Sequence, residues 1–140
     1  MPKEISAGAV IFLKENKEIK YLLLHYEPGH WDFVKGNIEK GESEKDTVIR
    51  EIEEETGIKD VRFIDGFRKN VHWFYRREGK NILKEVVFFL VETATKDVKI
   101  SSEHVGFIWL NFKDAVEQIT FKNSKELLKK TDEFLSKQKQ

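Results

Sequence analysis

The segment from Gly36 to Ile58, GNIEKGESEKDTVIREIEEETGI, carries its own start and stop signals for a helix and lines part of that helix with carboxylates. Ser43 is an N-cap candidate with Asp46 three residues on as an imperfect capping box, and Gly57 suits the left-handed residue that follows a helix. About three turns fit between these signals. At roughly 100° per residue, Glu51, Glu54 and Glu55 fall within roughly a 100° arc. Val48, Ile49 and Ile52 form an apolar stripe beside it. One face packs and the adjacent face is acidic, while Glu53 projects away from the trio into solvent.

Three carboxylates on one face repel one another unless a cation neutralises them, and an oxygen-rich set suits hard ions, Mg²⁺ first and Mn²⁺ as a second candidate. A metal held there can clamp phosphate oxygens and activate a water. Arg50 lies four residues before Glu54, where a guanidinium can fix a carboxylate rotamer and act as an orienter behind the metal ligands. The competing reading of an acidic run is a solvated helix face laced with ion pairs.

The spacing of the whole segment favours the metal. Gly36, Glu42, Arg50, Glu51, Ile52, Glu54, Glu55, Gly57 and Ile58 fit, without gap or substitution, the Nudix box G-x5-E-x7-R-E-aliphatic-x-E-E-x-G-aliphatic. The chain therefore resembles a Nudix hydrolase. The resemblance implies hydrolysis of a nucleoside diphosphate linked to another group, by attack of water on phosphorus. It implies Glu51, Glu54 and Glu55 as metal ligands with Arg50 as their organiser. Gly36 starts the loop into the helix and joins the metal set, and Glu42 supports the loop-helix structure.

The 140 residues amount to one ordinary domain, residues 1–140. No apolar run approaches the ~18 residues of a membrane-spanning helix, and the start MPKEISAGAV lacks a secretory core, which predicts a cytoplasmic protein. The absence of cysteine excludes disulfides and thiolate metal sites. Charged residues make up 36%, a content that with one Met and no Cys fits a thermophile. The charges balance at 25 against 25, so no global basic field marks a nucleic-acid-binding surface. A monomer acting on a small-molecule nucleotide, away from membranes, is the expectation.

Ile5–Leu13 and Lys20–Tyr26 read as strands separated by the polar ENKE, a hairpin or meander. Val61–Tyr75 reads as two strand segments broken near Gly66. Glu85–Val91, EVVFFLV, is nearly continuously apolar, as a strand buried on both faces is, and reads as the central strand. Phe107–Leu110 gives a short strand and Lys113–Ile119 a short helix. From Ser124, read as an N-cap, Leu127, Leu128, Phe134 and Leu135 recur at helical spacing to cover one side of the sheet, and the final KQKQ is expected to fray. This order predicts an α/β fold, an α/β/α sandwich with a mixed central sheet, which the family resemblance also implies.

Outside the box the chain is similar to the asymmetrical diadenosine tetraphosphate hydrolase branch of the family through SAGAVIF, YLLLHYEPGHWDFVKG, DGFRK, LKEVVFFLV, SEHVGFIWL and ITFK. This resemblance implies that His30, Trp31 and Lys35 lie near bound phosphates and that Lys84 faces the phosphate chain, where a cation offsets charge that a metal cluster alone does not. Glu103, followed by His104, matches a glutamate that reaches the metal cluster from a loop. Phe121 matches one of two aromatic rings that sandwich a base. The second ring falls among His72, Trp73 and Tyr75, and alternation puts Trp73 and Tyr75 on one face of a strand. The chain departs from the branch in reading DFVKG where PPKG is typical, and in Phe121 where Tyr is usual. The branch activity splits diadenosine tetraphosphate into ATP and AMP. Another Nudix pyrophosphatase activity, on oxidised nucleoside triphosphates or RNA 5′ triphosphate ends, and a non-catalytic nucleotide-binding module are the alternatives.

Overall fold

In the computed structural model, which describes residues 2–138, β1 (Lys3–Glu15) and β2 (Glu18–Tyr26) form an antiparallel hairpin. Its turn, Asn16–Lys17, has positive φ at both residues, the geometry that matches the twist of the flanking strands. The two strands pair only from Phe12 and Tyr21 towards the turn. Beyond that point they diverge, and two short strands fill the fork: β3 (Trp31–Asp32) pairs with β2, and β4 (Val34–Asn37) pairs with β1. Chain leaving β4 runs directly into α1 (Glu44–Thr56).

A second long hairpin joins β5 (Arg62–Arg77) to β6 (Lys80–Glu92), and β6 runs parallel to β1 from Leu83 to Glu92. β7 (His104–Leu110) pairs antiparallel with β2. The sheet is therefore mixed, with β1 at the centre of the order β3-β2-β1-β6-β5. β6, expected as the central strand, lies beside β1, and Val86–Val91 are buried as their apolar run requires. Val61–Tyr75 is not two strands: β5 runs through, with a shift of register between Phe63 and Arg68 where Gly66 adopts φ +91°. A bulge absorbs the irregularity that read as a break.

Side chains alternate between two faces. Val10, Phe12, Tyr21, Leu23, Val86, Phe88 and Leu90 face α2 (Phe112–Gln118) and α3 (Lys122–Gln138), through Ala115, Leu127, Leu128 and Leu135. Ala7, Ala9, Ile11, Leu22, Leu24, Val87, Phe89 and Val91 face α1, through Val48 and Ile52. Helices thus cover both faces, an α/β/α sandwich. No helix among the described residues is long and apolar enough to cross a membrane.

Both C-terminal helices depart from expectation, α2 running Phe112–Gln118 in place of Lys113–Ile119. α3 starts at Lys122, so Ser124 lies in its first turn and is not its cap; the Ser124 hydroxyl donates instead to Asp32 Oδ1 at 2.8 Å. Lys137 and Gln138 belong to α3, and the rest of KQKQ lies outside the described residues. On α1, Ile49 is 44% exposed and leaves the apolar stripe, while Thr47 and Thr56 join Val48 and Ile52 in the buried face. Ile52→Ala should lower the unfolding free energy by about 2–5 kcal/mol, whereas Ile49→Ala should change it by less than about 0.5 kcal/mol. Urea unfolding checks the pair, and equal losses would contradict this placement of the helix.

Candidate active site

Helix α1 is closed at both ends as its sequence suggests. Ser43 Oγ accepts from Asp46 N at 3.0 Å, Asp46 Oδ2 accepts from Ser43 N at 3.1 Å, and Gly57 follows with φ +76°. Between these ends Arg50 gathers the acidic residues. Its Nε donates to Glu42 Oε2 at 2.6 Å and its Nη2 to Glu42 Oε1 at 3.0 Å, a two-pronged grip. Nη1 donates to Glu51 at 3.0 Å and Glu54 at 3.2 Å, and Nη2 also reaches the Asn37 carbonyl at 3.0 Å. The Arg50 bonds, with the Glu39 N–H, hold the Glu42 carboxyl down at about 2.

Gly36 provides the close approach. A Cβ there would stand 2.0–2.3 Å from the Glu51 carboxylate, so the bare Cα is what lets Glu51 lie against β4. Glu55, one turn further on, is 5% exposed. Burial first, then Glu51, then the charge of Glu103 push its carboxyl up to about 9. Burial also raises Glu51. His104 Nε2 lies 3.2 Å from Glu55 Oε1 but out of hydrogen-bonding alignment, so that Nε2 and Glu55 Oε2 are both buried without a hydrogen-bond partner among the described residues. The other imidazole nitrogen, Nδ1, is 2.9 Å from Ser101 Oγ. Glu54 and Glu103 are exposed. Among the described residues no three His, Cys, Asp or Glu side chains converge closely enough to hold a cation.

On the opposite face of β4, Lys35 Nζ is 3.1 Å from Asp32 Oδ2 and 5.4 Å from the centroid of the Trp73 ring. These residues, with Val71, Phe88, Phe121 and Ser124, line a cavity of about 200 Å³ between α3 and β5. Phe121 is 47% exposed at its rim, and His30 stands 5.3 Å from it, ring to ring. His30 stacks on Tyr26 at 4.6 Å, and Tyr26 meets His104 edge-on at 4.5 Å, so aromatic rings run from the cavity rim to the buried Glu55. Trp31 stacks instead on His25, at 4.3 Å.

Of the three aromatic candidates on β5, Trp73 lines the cavity. Tyr75, on the same face, donates its hydroxyl to Glu4 at 2.6 Å and is drawn away from the cavity, and His72 is exposed on the other face. Lys84 Nζ donates to Ser6 Oγ at 2.7 Å and Asn37 Oδ1 at 3.2 Å, and burial lowers its pKa. Sequence reasoning missed Asp32, Tyr26, Ser6 and Asn37. A lone aspartate after Trp31 gave no signal, since its partner Ser124 lies 92 residues away.

A family model described as the NUDIX domain matches residues 2–131. The chain is 32% identical over 142 residues to the mouse asymmetrical bis(5′-nucleosyl)-tetraphosphatase, covering 93% of this chain and 94% of the mouse protein. It is 33% identical over 134 residues to the Caenorhabditis elegans protein of the same name, covering 94% and 96% respectively. The crystal structure of a C. elegans Ap4A hydrolase binary complex superposes with a TM-score of 0.79 at 29% identity, over 95% of this chain and 98% of that one. With the box helix, the bare Gly36 against Glu51 and a family match over nearly the whole chain, this protein belongs to the Nudix family.

Proposed function

We propose that this Nudix hydrolase cleaves dinucleoside polyphosphates, splitting diadenosine tetraphosphate into ATP and AMP. The observation that carries the reading is the division of labour on β4. Lys35 points towards the aromatic cavity, and the next residue, Gly36, lies bare against Glu51 on the opposite face. A substrate with a base at one end and a polyphosphate at its middle fits that arrangement. The full-length similarity to asymmetrical tetraphosphatases supports it.

The acidic set suits a hard divalent cation. Glu55 Oε2 is a buried oxygen with no donor, and burial together with neighbouring carboxylates raises the cost of ionising Glu55, which a cation would relieve. Glu51, Glu54 and Glu55, with the Gly36 carbonyl and Glu103, would have to close in to hold Mg²⁺ or Mn²⁺, since no three of the described carboxylates converge without one. Such an ion would neutralise phosphate oxygens and ease deprotonation of a bound water. The chain's own residues do the rest. Arg50 keeps Glu51 and Glu54 oriented. Lys35 and Lys84 offset phosphate charge, with His30 and Trp31 beside the chain of phosphates. Trp73 and Phe121 offer faces on which a base stacks, worth about 1–3 kcal/mol per base. In the reaction the water oxygen bonds to phosphorus, a carboxylate of the cluster takes its proton, and the bridging P–O bond breaks with the electron pair leaving on ATP or AMP. The setting of this reading is a cytoplasmic monomer acting on a free nucleotide, since balanced charges give no global basic field for nucleic acid.

With Mg²⁺, chromatography of the products of diadenosine tetraphosphate should give ATP and AMP; a monophosphate with pyrophosphate, formed from triphosphate substrates only, would favour the other Nudix specificities. Glu55→Gln should leave the fold intact and lower turnover by orders of magnitude, and near-normal turnover would overturn the role of Glu55. Arg50→Lys, which loses the fork, should lower kcat/KM about 10- to 100-fold. Glu55 also sets a pH dependence. Its carboxyl rises from an ordinary 4.5 to about 9 on folding, so the folded chain holds an extra proton between those values. Its contribution is therefore fullest below 4.5 and is lost as pH climbs towards about 9. In EDTA, the melting temperature of the wild type should fall across this window relative to Glu55→Gln, and parallel profiles would show that Glu55 is not buried as described.

A further inference from the structure

Asp32 stands at the floor of the aromatic cavity and takes no part in the chemistry above. It is 2% exposed, yet its carboxylate is well supplied with donors. Oδ1 accepts from Phe33 N at 2.8 Å and from Ser124 Oγ at 2.8 Å, and Oδ2 lies 3.1 Å from Lys35 Nζ. The three donors belong to three different pieces of the site. Phe33 links β3 to β4, Lys35 is the cation between cavity and carboxylates, and Ser124 sits in the first turn of α3, three residues after Phe121.

That first turn has no acidic residue of its own, so Asp32 supplies the negative charge that a helix N-terminus favours. The same junction is closed from the backbone side, where Trp31 N donates to Thr120 Oγ1 at 2.8 Å and Thr120 N donates to the Trp31 carbonyl at 3.2 Å. Phe121 follows at once. The ring at the cavity rim and the Lys35 ammonium are therefore held from one buried carboxylate. A charge so placed cannot lose its partners cheaply, because the carboxylate itself is out of reach of water.

We propose that Asp32 is a positioning residue: it couples Lys35 to the start of α3, so that the base-stacking wall and the cation for the polyphosphate are presented to the substrate in one fixed geometry. This rests on the dinucleoside polyphosphate reading.

Two readouts separate the inference from the reading beneath it. Wild-type turnover of diadenosine tetraphosphate tests that reading, and calorimetric titration with ATP in EDTA tests the inference without turnover. Asp32→Asn should weaken ATP binding, and raise KM for the dinucleotide, by about tenfold, the loss expected for one hydrogen bond to a charged group. kcat should stay within about threefold of the wild type, since the carboxylate cluster is untouched. In a Lys35→Ala background the effect of Asp32→Asn should shrink to about threefold or less, because the two residues act together. Equal effects with and without Lys35, or a lowered melting temperature with ATP affinity unchanged, would reduce Asp32 to a structural role and overturn the proposal. Should Asp32→Asn not fold, Ser124→Ala decides: a loss of ATP affinity of about threefold at an unchanged melting temperature supports the coupling, and an unchanged affinity overturns it.

Discussion

Arg50 holds together a structure that its charges would otherwise drive apart. Without it, Glu42, Glu51 and Glu54 would crowd one end of β4 and one side of α1 with no paired cation among the described residues. The guanidinium can serve all three because it is planar and carries five donors in a fixed fork. Two donors grip Glu42 in the loop, one is shared by Glu51 and Glu54 on the helix, and one caps the Asn37 carbonyl at the end of β4. A strand end, a loop and a helix are thereby locked at one point. The spacing of Arg50 and Glu54 made this helix-internal pair legible, but the shorter, two-pronged contact is the one to Glu42, across the loop.

The contrast between Glu42 and Glu55 shows how the same residue type is put to two uses. Glu42 accepts the Arg50 fork, the Glu39 N–H and the Thr47 hydroxyl, and its carboxyl falls to about 2. Glu55 is buried, lacks a donor on Oε2 among the described residues, and rises to about 9. One is a satisfied anchor. The other carries an unmet demand for positive charge, and an unmet demand in a buried group is tolerated where function uses it.

Much of the fold was legible because its signals are local. The capping box and Gly57 bound α1 correctly, and alternation or apolar runs placed the long strands. The failures share a physical cause, contacts between residues distant in sequence. Ile49 fits the helical stripe by angle, but it stays 44% exposed while Thr47 and Thr56 take the buried face. Ser124 looked like a cap because serine often is one, whereas its hydroxyl answers to Asp32 on the far side of the chain. Gly66 looked like a strand end because a bulge and a break use the same residue. In the site, the contact of Arg50 with Glu54 was legible from helical spacing, whereas Gly36 entered only through the family pattern. Trp73 could be chosen over Tyr75 only once the Glu4 carboxylate, 71 residues from Tyr75, was seen to hold the phenol.

The register of β4 sets the position of both halves of the site. Successive residues of a strand point to opposite faces, so a slip of one residue would send Lys35 towards α1 and put a side chain where Gly36 must be bare. β4 has only four residues and little apolar burial of its own to resist such a slip. Its register comes from β1, where Ala7 faces Gly36 and Gly8 faces Lys35. Gly8 has a steric reason to be there, since a Cβ would stand 2.4 Å from the Val34 carbonyl oxygen and 2.8 Å from Lys35 Cβ. Two glycines on neighbouring strands thus do complementary jobs. Gly8 lets β4 come close enough to β1 to be held, and Gly36 lets the helix carboxylate come close enough to β4 to be used. The acidic helix supplies the charge, but the distance between that charge and the aromatic cavity is set by the thickness of one short strand.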